Sequence, residues 1–198
     1  YKRAASYLQH SLSPDAQLQL VSLLERLAEC TRIRGNYPEA RQLYERVLDL
    51  RRQNQALTTD SQLEAQVQAL LWDEIAWTWR YTGDIARAWE CFREGEYILR
   101  VADVVGGPAW GRLYYTQSNL YQAEGHYDQA LSSAEAALVL LEAQQTYQKQ
   151  ASPLVQSSRS SCKGQIQRTL EGDPVNLGRT YRHMGTIAVA MGQLSQAL

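Results

Sequence analysis

The chain has 198 residues, of which 44% are hydrophobic and 21% charged, and its net charge at pH 7 is −1. A balance this close to zero provides no global field that would attract nucleic acid or an anionic membrane, so the sequence predicts neither partner. No apolar run approaches the roughly 18 residues that a membrane-spanning helix needs.

The three cysteines, Cys30, Cys91 and Cys162, are far apart in the sequence and form no CxxC pair. Such a set argues against a disulfide framework and against a zinc site, and it fits a reducing compartment. We therefore expect a cytoplasmic protein without a metal or other cofactor, with two of its thiols buried and one in a loop.

Four short segments of the chain begin with glycine and end five residues later with alanine. Self-similarity of this kind predicts a repeat protein. Glycine adopts the left-handed backbone conformation without steric cost, so each glycine is expected to end one helix just before the next begins. The segments are GNYPEA from Gly35, GDIARA from Gly83, GHYDQA from Gly125 and GQLSQA from Gly192.

The repeats follow one another along the chain, with one interruption. Asp60 is a predicted helix N-cap, and the Gly106-Gly107-Pro108 run separates the second repeat from the third. Because the chain begins and ends inside a repeat, we expect a fragment of a larger protein. The predicted units are the end of a preceding repeat (1–14), repeat one (15–55), repeat two (60–105), repeat three (106–146), a Ser- and Gln-rich insertion (147–176) and a partial repeat four (177–198).

The predicted insertion at 147–176 contains serines on both sides of Arg159, a composition typical of a loop. We favour an insertion tolerated at one edge of the array, because loops accept extra length at a low entropic cost. A regulatory or phosphorylated loop is the alternative.

A second pattern supports the helix pairs. The residue seven positions before each of the four glycines is small, and the alanine five positions after each glycine is small as well. Two helices that cross closely need small residues facing each other at the crossing point. The predicted pairs are Ala28 with Ala40, Ala76 with Ala88, Ser118 with Ala130, and Gly185 with Ala197.

Together these positions resemble the tetratricopeptide repeat. The third repeat shows the pattern best, at Ser118, Tyr121, Gly125, Tyr127, Ala130, Ala134, Ala137 and Leu138. The resemblance implies an all-α, right-handed superhelical solenoid of antiparallel helix pairs. The spacing of about 42 residues between Gly83 and Gly125 is longer than the common repeat. It resembles the long repeats of kinesin light chains and of sensor arrays on bacterial signalling ATPases and transcription activators.

In tetratricopeptide arrays the first helix of each repeat lines a concave groove, and this resemblance implies a set of ligand-binding residues. The residues that line the implied groove change along the array. They are of mixed charge in repeat one (Glu25, Arg26, Glu29, Arg32), then aromatic, and finally basic. An arginine in this groove suits a carboxylate, and an asparagine there often holds a ligand's backbone amide. The implied residues are Trp77, Arg80, Tyr81, Arg112, Tyr115, Asn119, Gln122, Arg179 and Arg182, with Asp73 and His183 beside them.

The tryptophans divide into two groups. Trp72, Trp79 and Trp89 occupy expected core positions, whereas Trp77 falls on the predicted groove side and is a candidate anchor for a partner. The alternative for Trp77 is a contact with the next repeat.

No catalytic motif or cofactor-binding loop is present in the sequence, so we expect no enzymatic activity. The adjacent carboxylates Asp73 and Glu74 are expected on a solvated helix face, not as an acid/base pair.

The sequence thus predicts a protein- or peptide-binding module, the sensing or partner-recognition part of a larger bacterial signalling protein. The alternative is an oligomerisation scaffold with an empty groove, self-associating through its open solenoid ends.

Overall fold

The computed structural model describes residues 14–53, 60–150, 165–170 and 174–192. Throughout these ranges the chain forms helices joined by turns, and none of these helices is long and apolar enough to cross a membrane. Residues 4–12, the serines around Arg159 and the segment after Gly192 lie outside them. The helices are α1 (Pro14–Ile33), α2 (Tyr37–Gln53), α3 (Ser61–Tyr81), α4 (Ile85–Val101), α5 (Pro108–Ala123), α6 (Tyr127–Gln150), α7 (Gln165–Leu170) and α8 (Pro174–Ala190).

The predicted glycine turns are present. Gly35, Gly83, Gly125 and Gly192 have φ angles of 81°, 84°, 80° and 74°, in the left-handed region that favours glycine. After the first three of them the next residue donates its N–H to the carbonyl four positions before the glycine, which satisfies the end of the first helix. These bonds run from Asn36 to Thr31 (3.1 Å), from Asp84 to Trp79 (3.1 Å) and from His126 to Tyr121 (2.9 Å).

The predicted crossings also hold in three repeats. All six small residues are fully buried: Ala28, Ala40, Ala76, Ala88, Ser118 and Ala130 each have 0% exposure. In the third repeat the contact is direct, because the Ser118 hydroxyl donates to the Ala130 carbonyl oxygen at 2.5 Å. The partner predicted for Gly185 lies outside the described residues. Close helix crossing at small residues is therefore what sets the angle between the two helices of a repeat.

Local signals fix the remaining boundaries. The Asp60 carboxylate accepts the backbone N–H groups of Gln62 and Leu63, so it caps α3 as predicted. Gly106 and Gly107 both have positive φ, and Pro108 is the first residue of α5. Proline there loses no hydrogen bond, since the first N–H groups of a helix have no partner within it.

The helices form two layers. The first helices of the repeats are α1, α3, α5 and α8, which we call the first-helix layer, and α2, α4 and α6 form the second layer. Each second helix packs on its own first helix and on the next one. A large core spans α1 to α5, and a small cluster of Ala130, Ala134 and Ile187 joins α6 to α8.

The tryptophans follow the predicted division only in part, because Trp77 is itself buried, with 8% exposure. Trp72, Trp79 and Trp89 pack against the core, whereas Trp77 belongs to neither apolar cluster. The expectation for the cysteines is wrong at one position, because Cys91 is buried but Cys30 is exposed.

Candidate functional site

A continuous row of aromatic rings crosses the first-helix layer. Tyr37 stacks on Tyr81 with 5.3 Å between ring centroids, and Tyr81 lies 5.6 Å from Trp77. Trp77 stacks on Tyr115 at 5.7 Å, and Tyr115 meets the ring of His183 edge-on at 5.5 Å. All four distances are in the range of favourable aromatic pairs. We call these five residues the aromatic row; it connects all four repeats.

The local helix geometry explains how the row forms. Trp77 and Tyr81 are four residues apart on α3, so their side chains lie on the same face of the helix. Trp77 is 8% exposed, and its indole N–H has no hydrogen-bond partner within the described part of the chain. Tyr81 is 50% exposed. The row is therefore closed at its centre and open to a partner at Tyr81.

A buried network of charges lies beside the row. The Arg112 guanidinium donates to Asp73 at 2.6 Å and lies 3.4 Å from Glu74. The hydroxyl of Thr116 donates to the other oxygen of Asp73. Arg32 Nε is 3.0 Å from Glu74, an ion-pair distance at which its N–H is not aligned for a hydrogen bond. Two carboxylates and two guanidinium groups thus balance each other in what we call the ion network.

The ion network bears on two expectations from the sequence, the solvated acidic face at Asp73 and Glu74 and the ligand-binding role of Arg112. Asp73 and Glu74 are 0% and 4% exposed, so the prediction of a solvated acidic face is wrong. Arg112 lies in the predicted layer, but it is buried and its charge is neutralised within the protein. It joins repeat three to repeat two, so it is not available to a ligand's carboxylate.

Burial shifts the titration of the network. It raises the pKa of Asp73 to about 6, although the nearby Arg112 acts in the opposite direction. The desolvation of the carboxylate is the larger of the two effects.

The middle of the layer holds three more of the implied residues. Arg80 lies over the Trp77 ring at 5.2 Å and donates to the backbone oxygen of Asn119 at 3.4 Å. The side-chain amide of Asn119 donates to the carbonyl of Tyr115 in its own helix and is 5% exposed. One of the two N–H donors of this amide is therefore used within α5. Gln122 is half-buried one turn further along the same helix.

Helix α8 supplies the basic end of the layer. Arg179 and Arg182 are exposed, and α8 contains no acidic residue. In the described ranges neither arginine has an acidic side chain within ion-pair distance. These two arginines, unlike Arg112, are available to an acidic group from outside.

His183 is the polar contact between α8 and α5. Its Nε2 is 2.9 Å from the Ser118 hydroxyl. Since that hydroxyl donates to Ala130, its oxygen accepts from Nε2–H, which assigns the tautomer from the hydrogen-bond network. Burial lowers the pKa of His183 to about 4, and the charge of Arg80 adds to this effect. His183 is therefore neutral at pH 7.

Sequence reasoning did not identify Tyr37 or the ion network. Tyr37 belongs to the second helix of repeat one, so a search restricted to first helices passes over it. Asp73 and Glu74 carry a usable signal: they interrupt a stretch of α3 whose residues from Ala69 to Thr78 are otherwise apolar or small, apart from two tryptophans. Charges inside such a stretch require partners from neighbouring helices.

Residues 21–54 match the family model described as tetratricopeptide repeat. Among solved structures, the chain is similar to the crystal structure of BtubC (BKLC) from P. vanneervenii, with a TM-score of 0.62 at 20% sequence identity. The alignment covers 100% of this chain and 66% of that one. No curated protein matches the sequence. The chain therefore has the fold of a tetratricopeptide-type helical solenoid, and the match to the repeat itself covers residues 21–54.

Proposed function

We propose that the first-helix layer recognises a protein or peptide partner and has no enzymatic activity. Tetratricopeptide repeats generally mediate protein–protein interactions. The observation that carries the proposal is the aromatic row, in which Tyr81 is half exposed. Large rings beside arginines are the residue types that anchor partners at interfaces.

The charges of the layer favour an acidic or C-terminal peptide. Arg179 and Arg182 are exposed and have no acidic partner among the described residues, whereas Arg112 is neutralised by the ion network. A peptide carboxylate suits the planar guanidinium group, which offers two parallel donors. Tyr81, Tyr115 and Gln122 would contact the remainder of such a peptide.

We place this function in a larger cytoplasmic protein, as its sensing or partner-recognition part. The support for this is the dispersed cysteines and the resemblance to the repeat arrays of bacterial signalling proteins. The rival proposal is an oligomerisation scaffold whose groove binds nothing.

A peptide-display selection tests the proposal. Wild type is compared with a Tyr81→Ala/Arg182→Ala variant and with a matched Tyr97→Ala/Arg93→Ala variant, whose two residues are exposed on α4 in the second layer. We expect enriched acidic peptides to lose roughly tenfold or more in affinity only in the first variant, since anchor residues commonly cost more than 1 kcal/mol when truncated.

Two results would contradict the proposal. One is the absence of any enriched peptide, and the other is an equal loss of affinity in both variants. If light scattering then shows a stable dimer that is dissociated by Tyr81→Ala/Arg182→Ala, the scaffold becomes the better explanation.

A further inference from the structure

The short helix α7 lies within the predicted insertion and packs on the first-helix layer. It contacts α5 and α3, the two first helices that carry the ion network. Ile166 is 6% exposed and Thr169 is 2% exposed, and Ile166 belongs to the same apolar core as the residues of α3 and α5. Leu170 packs against that core as well. The helix is therefore part of the packed array and does not project from its edge.

Two hydrogen bonds define where α7 lies. Gln144, near the end of α6, donates its side-chain amide to the carbonyl of Leu170 at 2.9 Å. Asn176, in the first turn of α8, donates to the Thr169 hydroxyl at 3.2 Å. Because α6 runs antiparallel to α5, both bonds place α7 at the N-terminal ends of α5 and α8. The exposed Tyr81 is at the opposite, C-terminal end of α3.

The same two side chains are incompletely satisfied. The Oε1 atom of Gln144 and the Oδ1 atom of Asn176 are both buried and accept no hydrogen bond from the described residues. Buried polar atoms in native proteins are nearly always paired. Gln144 and Asn176 therefore donate to α7, while their side-chain oxygens accept no hydrogen bond from the described residues. The bound α7 thus leaves two buried acceptors of its site unpaired.

The length of α7 indicates that its docking site induces the helix. Isolated helices shorter than about 12–15 residues are marginal in water, and α7 has six residues. A short helix that is ordered by laying apolar side chains at positions i, i+3 and i+4 onto other helices is the pattern of helix-in-groove recognition. Ile166, Thr169 and Leu170 have that spacing.

We infer that the N-terminal half of the first-helix layer is a helix-accepting site, and that α7 is its exchangeable occupant. The external partner that fits it is a short amphipathic helix with an Ile-x-x-Thr-Leu type of apolar face. This inference rests on the proposed function of the layer in partner recognition. It adds a second binding site, separate from the one around Tyr81, which a partner can enter only when α7 leaves.

Displacement of α7 tests the inference directly. In an Ile166→Glu variant the buried carboxylate would drive α7 from its site. The probe is a fluorescein-labelled peptide of the chain's own residues 163–173, followed by fluorescence anisotropy. We expect it to bind the variant at least about tenfold more tightly than wild type, because a tethered occupant competes at a high effective concentration.

The controls use matched substitutions. Ile33→Glu makes the same change at an isoleucine that is 70% exposed on α1, and it should behave as wild type does. A peptide carrying glutamate in place of its isoleucine should bind none of the three proteins. Equal binding of the first peptide to all three, or no binding to a folded Ile166→Glu protein, would overturn the inference.

Hydrogen exchange decides the matter if Ile166→Glu does not fold. In wild type, the amides of α7 should exchange at least about tenfold faster than those of α5, since an exchangeable occupant opens locally. Exchange of both helices at one common rate would make α7 a permanent part of the core. A negative result in the α7 experiments would not change the outcome of the peptide-display selection at Tyr81 and Arg182. The two proposals can therefore be rejected independently.

Discussion

The junction between repeats two and three differs from the junction between repeats three and four. The first is built from the ion network, in which Arg112 neutralises Asp73, and from the stacked rings of Trp77 and Tyr115. The second has a small apolar cluster, and its buried polar contact among the described residues is the neutral bond between Ser118 and His183. The repeats on either side of the first junction, two and three, share the same turn and the same small-residue crossing within each repeat.

Successive repeats with the same sequence pattern can therefore pack on each other through two kinds of contact, buried ion pairs or neutral hydrogen bonds. Buried charges are costly unless each is paired, so removing one partner leaves an uncompensated charge inside the protein. A neutral hydrogen bond costs less to lose. The junction of repeats two and three should therefore be the more sensitive to substitution, and the junction of repeats three and four the more sensitive to mild acid.

The largest expected effect is that of Arg112→Met. It leaves Asp73 without its guanidinium partner and weakens the balance at Glu74. We expect a loss of about 3–5 kcal/mol in the free energy of unfolding, as is typical when one member of a buried ion pair is removed. Urea unfolding followed by circular dichroism measures it.

The matched control for this prediction is Arg87→Met. Arg87 pairs with Asp84 at 3.4 Å, but its side chain is 57% exposed. An exposed pair contributes about 0–1 kcal/mol, so this variant should remain close to wild type. Equal losses in the two variants would mean that burial does not distinguish the ion network from a surface pair.

The next effect concerns the small-residue crossing between the two helices of a repeat. Ala88→Leu and Ala130→Leu each place a larger side chain where the exposure is 0%, and overpacking of this kind costs about 1–3 kcal/mol. The melting temperature is the measurement, and Ala86→Leu, at an exposed position of α4, is the control. An unchanged melting temperature in either variant would contradict the close crossing.

Ser118→Ala should have a smaller effect, of about 1–2 kcal/mol. It leaves Nε2–H of His183 and the Ala130 carbonyl without their common partner, and buried groups left unpaired carry a desolvation penalty. Ser132→Ala, at an exposed position of α6, should be neutral. Chemical denaturation of the two variants compares them, and similar midpoints would show that the polar contact to α8 does not stabilise the array.

The last expected effect is a dependence on pH. Burial lowers the pKa of His183 from about 6.5 in the unfolded chain to about 4, so between these values the unfolded state binds the proton more tightly. Wild type should therefore lose stability relative to His183→Gln as the pH falls from 7 to 4.5.

The comparison with His183→Gln removes a contribution of opposite sign. The raised pKa of Asp73 stabilises the fold at low pH, and this stabilisation is lost as the pH rises through about 6. Asp73 is present in both proteins, so its contribution cancels in the difference. Denaturation midpoints at several pH values give the difference in stability between the two proteins. A difference that stays constant from pH 7 to 4.5 would show that His183 does not cause the loss of stability in acid.

The sequence by itself determined the turns and the crossings. A glycine with positive φ and a small residue at a crossing are requirements of local geometry, and each can be recognised from residue type and spacing. The resemblance to the tetratricopeptide repeat then indicated which helices form the first layer. Helical spacing also placed Trp77 on the same face of α3 as Tyr81, but it did not indicate that Trp77 would be buried there.

Only the tertiary structure decided what each of these faces meets. The partner of Arg112 is 39 residues away in the sequence, and that of His183 is 65 residues away. Tyr37 joins the aromatic row from a second helix, and α7 returns from the predicted insertion to pack on α3 and α5. Helical periodicity specifies the direction of a side chain but not the neighbour placed opposite it. That neighbour depends on how the repeats stack.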